Sequence, residues 1–289
     1  MKRHLEVPKV GYSPLVHLAK SIWLSGFSED NLFVMLHDLT AYFDDAGGAD
    51  HGFTVVSGWV STVANWKRFD IDWRLLLAHY DLPYFSMKEC AQFKGPFDKW
   101  EGINQGTRSS FLRDAADVIK SYVLYGFGSV IQHKEFDAVN RRYTLKEYVG
   151  SPYALAGRIC TKHVRRWGLK NGYERWKLAF VFDKGTPKSG TLAKLMEREG
   201  LGNPIFLSPL DTFHEGKLVQ KGLTPLQAAD FLAYELRKIH KDDPEELWPI
   251  EKYRKSVRAL VRVPSFWGKC TKADLESLCE NHPKIKPRK

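Results

Sequence analysis

The stretch "KLAFVFDKG", residues 177–185, constrains this chain more than any other. Five consecutive apolar residues, Leu178 to Phe182, precede an acid and a turn glycine. Such a run reads as a strand buried on both faces, and strands of that kind belong to sheets covered by helices on both sides. A second run, Leu39 to Asp44, ends in the same way, with the adjacent carboxylates Asp44 and Asp45 leading into the glycines of "YFDDAGG". "GFTVVSGWV" (Gly52 to Val60) reads as its partner strand, which makes "DDAGGADH" a hairpin-like connection.

Helical periodicity alternates with these strands. Trp66, Phe69 and Trp73 recur on one face of a helix expected over Asn65 to His79, and a helix from Arg108 to Tyr122 leads into a third strand, "YGFGSVIQ". Ser151-Pro152 opens another helix, with Tyr153, Ala156, Cys160, Val164 and Trp167 as its apolar stripe. A separate face of that helix carries Arg158, Lys162 and Arg165, extended by Arg166 and Lys170. Residues 189–199 suggest a helix and "NPIFLS" a short strand. Thr224-Pro225 pairs an N-cap with proline at the first helical position, introducing a helix that runs to about Ile239. A last helix begins near Thr271, and "HPKIKPRK" reads as a basic, mobile tail.

The expected fold class is therefore α/β. A chain of 289 residues with 43% hydrophobic content and 9 Trp has the material for one elaborated core. Residues 1–38 read as an N-terminal extension of two short helices, Pro14 to Ser25 and Ser28 to Leu36, and are a candidate surface for a protein partner. Residues 39–240 form the main domain, and 241–289 a helical C-terminal extension.

The excess of 44 Lys and Arg over 34 Asp and Glu, formally +10, favours a polyanionic partner, with DNA or RNA first among them. Four cysteines without a CxxC pair argue against a zinc knuckle or a disulfide framework, so reduced thiols and a cytoplasmic setting are expected. No apolar run approaches the roughly 20 residues that cross a bilayer. The segment "LVHLAKSIWL" is broken by His17 and Lys20 and lacks a leader-type cleavage site, so no membrane association is expected.

Three carboxylates stand out: Asp44 and Asp183 at the ends of apolar strands, and Asp230 inside an otherwise apolar helix. A buried Asp needs a partner or a cation. If the two strands run parallel, Asp44 and Asp183 emerge at one edge of the sheet, and a helix crossing that edge can deliver Asp230. Gln227 shares the helical face of Asp230. Hard oxygen ligands without supporting His or Cys select Mg²⁺ or Mn²⁺, and paired metals so held promote hydrolysis of phosphodiesters.

These pieces resemble the DUF3800 family, a group placed near the ribonuclease H-like nucleases. "YFDDAGG" resembles its "DE-S-G" opening and "LQAADFLAYE" its "QxxD" signature; between them "YFSMKECAQFKGPFDKW", "GSPYALAGRIC" and "FVFDKGTPKSG" resemble further family segments in the same order. The resemblance covers roughly residues 39–240. It implies a ribonuclease H-like mixed sheet flanked by helices, with helical insertions, and a metal-dependent nuclease or phosphodiesterase activity. Asp44, Asp183 and Asp230 would face the metal, Asp45 would stand in for the family's Glu, Glu89 would add a fourth carboxylate, and Gln227 would be a polar neighbour. Ala46 replaces the usual Ser, Asp183 the commoner Glu, and Ser86 the His before Met87.

Arg158, Lys162, Arg165 and Arg166 are candidates for nucleic-acid backbone contact, as are Lys184 and Lys188 in "DKGTPKSG". That segment is no P-loop, because Thr191 follows Gly190 where the motif requires Lys. "DTFHEGK", with His214 and Glu215, reads as a surface loop. The alternative function is a non-catalytic nucleic-acid-binding or effector module, a role in phage defence included.

Overall fold

Strand β1 (Leu39–Gly48) and strand β2 (Phe53–Thr62) pair antiparallel over their whole length, joined by a single 3₁₀ turn at Ala49–His51. The expected connection "DDAGGADH" is thus largely strand: β1 continues through Asp45 to Gly48, because Val56 to Phe53 on β2 extend the ladder alongside it. Gly58 permits the close pairing, since a β-carbon there would lie 1.8 Å from the Tyr42 carbonyl oxygen. The computed structural model describes residues 39–288 except 103–104, 174–177, 186–188, 211, 215–216, 221 and 246–248. The N-terminal extension and Lys188 lie outside the described residues.

The chain continues through α1 (Val63–His79), α2 (Met87–Gln92), α3 (Gln105–Tyr122) and β3 (Tyr125–Gln132). Two helices that the pattern analysis did not separate follow: α4 (His133–Arg142) and α5 (Leu145–Val149). Next come α6 (Pro152–Lys170), β4 (Leu178–Asp183), α7 (Ser189–Arg198), β5 (Ile205–Leu207) and a small antiparallel ribbon, β6 (Thr212–His214) with β7 (Lys217–Gln220), where a surface loop was expected. Helix α8 (Thr224–Asp242), α9 (Lys255–Leu260), β8 (Ser265–Cys270) and α10 (Lys272–Asn281) complete the order.

The main sheet has six strands in the order β5-β4-β1-β2-β3-β8. Its pairing is mixed: β1–β2 and β2–β3 are antiparallel, while β4–β5, β1–β4 and β3–β8 are parallel. Period-two alternation divides the central strands between two apolar layers. Tyr42, Val55, Trp59 and Val181 face a layer built with α1, α2, α3, α8 and α9; Phe43, Val56, Val60 and Phe182 face one built with α4, α5, α6, α7 and α10. Burial of each such side chain is worth about 1.5–3 kcal/mol. The first layer is tied by buried indoles, whose N–H groups must find acceptors: Trp59 donates to the Ala228 carbonyl at 2.9 Å and Trp66 to the Thr40 carbonyl at 2.8 Å.

The C-terminal residues are not an extension. Strand β8 is an edge strand of the main sheet, and the tail is docked: Lys286 and Thr144 exchange backbone and side-chain bonds, and Arg288 pairs with Glu147 at 2.9 Å. Helix α10 starts as expected, with Thr271 and Asp274 forming a capping box. Helix α8 starts one residue earlier than read, with Leu223 at the N-cap. Thr224 is inside the helix, and its hydroxyl donates to Asp70 instead of capping. No described helix is long and apolar enough to cross a membrane.

Candidate metal site

Strands β1 and β4 run parallel, with Phe43 opposite Phe182 and the two rings stacked at 5.0 Å. Asp44 and Asp183 are the next residue on each strand, so both lie at one level of the sheet, Asp183 closing β4 and Asp44 within β1. Alternation directs them to the face of Tyr42 and Val181, which is the face that α8 covers. Asp230, midway along α8, reaches the same place: after burial, the carboxylates of Asp230 and Asp183 act most strongly on Asp44. Asp45 alternates to the other side, across from Val56. Its contribution to the group is a backbone N–H, donated to Asp44 Oδ1 at 2.7 Å, together with the repulsion of its charge.

The acids are fixed by backbone donors. Met87 N–H donates to Asp230 Oδ2 at 2.6 Å, and the amides of Lys184 and Gly185 turn back onto Asp183. Glu89 lies beside Asp230, its Oε2 accepting from Tyr84 OH at 2.8 Å. Gly95, at φ 58°, backs this pair: a β-carbon would sit 3.1 Å from the same Oε2.

Burial is the main cause of the electrostatics. It lifts the Asp44 carboxyl well above the usual range, reinforced by Asp230, Asp183 and Asp45. Burial and the charges of Asp183 and Glu89 push Asp230 up to about 6 against the opposing Met87 bond, and burial raises Asp183. Among the described residues, the charges acting on Asp44 and Asp230 are all carboxylates. Among the described residues, no group of three or more His, Cys, Asp or Glu is arranged so that it could hold a metal ion as it stands. Half-buried, mutually repelling carboxylate oxygens are the kind of donor that a hard divalent cation takes.

Gln227 has a different role from that expected. Its Oε1 accepts from Trp73 Nε1 at 2.9 Å and from Phe85 N–H at 3.0 Å, and its Nε2 donates to the Pro209 carbonyl at 2.9 Å. The amide is therefore committed to joining α1, the segment before α2 and the loop after β5, and it positions Asp230 one turn along.

Asp70 was missed in the sequence. It is buried on the apolar face of α1 and accepts from Thr224 Oγ1 at 2.7 Å and Arg74 Nε at 3.0 Å, anchoring the start of α8. Its signal was an acid four residues after Trp66 and three before Trp73, with Arg74 at i+4. The Tyr42 hydroxyl, on the same side of the sheet, is buried without a hydrogen-bond partner among the described residues.

The basic stripe does not join this site. Helix α6 packs on the opposite face of the sheet. Arg158, proposed for backbone contact, is buried at 6% exposure and bound to Glu199 at 2.7 Å; Lys162 meets the same carboxylate at 2.7 Å. Arg165 donates to the Gly200 carbonyl at 2.9 Å, and Arg166 is exposed. Arg158 is withdrawn from the surface because its acid lies about 40 residues away in sequence, beyond the reach of periodicity, while Lys162, Arg166 and Lys170 remain exposed. Lys184, exposed immediately after Asp183, is the basic candidate closest to the acids in the chain.

No family model matches this chain, and neither a curated protein nor a solved structure matches it.

Proposed function

We propose that Asp44, Asp183 and Asp230, with Glu89 beside them, hold a divalent cation, Mg²⁺ or Mn²⁺, and that the protein is a nuclease or phosphodiesterase of ribonuclease H-like type. One observation carries this reading: three separate elements deliver three carboxylates to one level of the sheet, and among the described residues the charges that act on Asp44 and Asp230 are other carboxylates. Removing such groups from water is costly unless a cation accompanies them.

A bound divalent ion supplies Lewis-acid polarisation of a phosphoryl oxygen and a more acidic water. The chain's own residues supply placement. Asp45 and Met87 amides restrain one oxygen of Asp44 and one of Asp230, and Gln227 fixes the turn of α8 that carries Asp230. Lys184 and the net positive charge favour a nucleic-acid strand at this site. The resemblance of "YFDDAGG" and "LQAAD" to the DUF3800 pattern supports the same assignment, and the four free cysteines accord with work in the cytoplasm.

The test is calorimetric titration of Mn²⁺ into chelator-treated wild type and the Asp44→Asn/Asp230→Asn double variant, with DNA and RNA strands assayed for cleavage in parallel. Saturable binding and cleavage by the wild type, both lost in a folded variant, are expected. Absence of Mn²⁺ binding even with nucleic acid present would overturn the metal site and leave the non-catalytic binding module.

A further inference from the structure

A cavity of about 350 Å³ opens between α3 and α9, lined by none of the acids of the candidate metal site. Arg108 and Arg113 enter it from α3, Arg254 and Lys255 from the start of α9, and among the described residues no acidic side chain lines it. Four like charges around a concavity are mutually repulsive, and an anion relieves that repulsion.

Three of the four cations have partners of their own. The Arg108 guanidinium lies 4.1 Å over the Phe93 ring and donates to the Ala91 carbonyl at 3.4 Å. Arg254 is 3.5 Å from Glu235 Oε2; Glu235 is buried, and its other oxygen accepts from Ser256 at 2.8 Å. Arg113 is 3.2 Å from Asp114. Among the described residues two carboxylates thus answer four cations, and the cavity is lined by an excess of positive charge together with the serines at 109 and 110.

We propose that this cavity is a phosphate-binding site. Planar guanidinium forks match the oxygens of a phosphate, and hydroxyls complete such a cradle. The volume is within the range of small-molecule sites, so a phosphate with its attached sugar fits.

Helix α2 joins the cavity to the acid cluster. Its first residue, Met87, donates to Asp230, and its last turn supplies the Ala91 carbonyl that Arg108 binds. Six residues of helix span about 9 Å. Cys90 between them is acted on by Arg108 and Arg254 as well as by Asp230 and Glu235. In the substrate sense the site rests on the nuclease reading: it takes a second phosphate of the strand whose phosphodiester meets the carboxylates. As a binding site it stands independently.

The experiment measures binding of three probes to chelator-treated full-length protein: inorganic phosphate, a nucleoside 5′-monophosphate, and a short single-stranded oligonucleotide without terminal phosphates. Wild type is compared with Arg113→Gln/Lys255→Gln, two exposed positions, and with Arg108→Gln; thermal unfolding checks that each variant is folded. At least a tenfold loss of affinity is expected in the variants. For the oligonucleotide, the slope of log K against log salt should become shallower by about 0.7 per lost contact. Binding of the first two probes assigns a terminal phosphate, and binding of the oligonucleotide alone assigns an internal diester. Wild-type affinity and slope in the variants, or no binding of any probe to the wild type, overturns the proposal. Phosphate binding without Mn²⁺ binding would sink the metal reading and leave this site standing.

Discussion

Glu199 and Asp44 are acids on opposite sides of one sheet. Glu199, in the α6 layer, receives Arg158 and Lys162 at 2.7 Å each and Tyr148 OH at 2.9 Å. Burial pushes its carboxyl up, but those partners outweigh burial and hold it below the usual range. Asp44, in the α8 layer, has carboxylates for neighbours, so burial and repulsion act in the same direction. One site completes its charge balance within the chain and contributes to holding helices together. In the other, the acids must keep protons or, under the proposed function, share a bound cation.

The largest effect that can break this contrast is chemical. Asp44→Asn should reduce metal-dependent cleavage about 1,000-fold, roughly 4 kcal/mol of barrier, with unfolding in chelator unchanged or improved. Wild-type turnover in the pure variant would remove Asp44 from the chemistry. Arg158→Met is the converse: leaving Glu199 without its closest buried partner should destabilise the fold by about 3 kcal/mol in urea titration while Mn²⁺ affinity stays the same. A loss confined to nucleic-acid binding would instead return Arg158 to the surface role first expected of it.

Gln227→Ala tests the support between site and scaffold. It strips partners from the Trp73 indole, the Phe85 amide and the Pro209 carbonyl, so a cost of about 2 kcal/mol is expected, with Mn²⁺ affinity down about tenfold as Asp230 loosens. Equal Mn²⁺ affinity would show that α8 holds Asp230 without it.

The smallest effect is a pH slope. Asp230, raised to about 6, favours the folded state below its unfolded value near 4, and that contribution is lost as pH rises through about 6. Glu199 has the opposite sign: its contribution is present above the unfolded value and is lost as pH falls through its lower folded value. Chelated protein should therefore lose on the order of 1 kcal/mol between pH 5 and 7, measured by urea unfolding, and Asp230→Asn should flatten that slope. A decline on acidification from 7 to 5 would contradict the unpaired state of the cluster.

Asp183 was legible because a strand end is marked twice, by an apolar run and by the turn that follows; Asp44 carried the same mark, although β1 runs on past it to Gly48. "LTAYFD" and "LAFVFD" gave Asp44 and Asp183, and an acid amid "LQAADFLAYE" gave Asp230. The parallel pairing of β1 and β4 agrees with the geometry on which their meeting was conditioned. What escaped was set by distant partners. Asp45 looked equivalent to Asp44 until β1 continued past it and alternation turned it away. Strand β8 is short, half-buried and interrupted by Gly268, so little in "SFWGKC" distinguishes an edge strand from a loop. Gln227 looked like a site residue because periodicity places it beside Asp230, whereas its three bonds go to segments that no local pattern connects.

The division of the acid cluster along the chain has a consequence in time. The pairing of β1 with β2 closes a short loop and can form early, yet Asp183 arrives 139 residues after Asp44, and Asp230 only with α8. A chain emerging from the ribosome therefore carries no complete set of carboxylates until α8 has been synthesised and has docked on the sheet. Whatever reactivity the cluster has is withheld from unfinished chains by the order of the sequence itself.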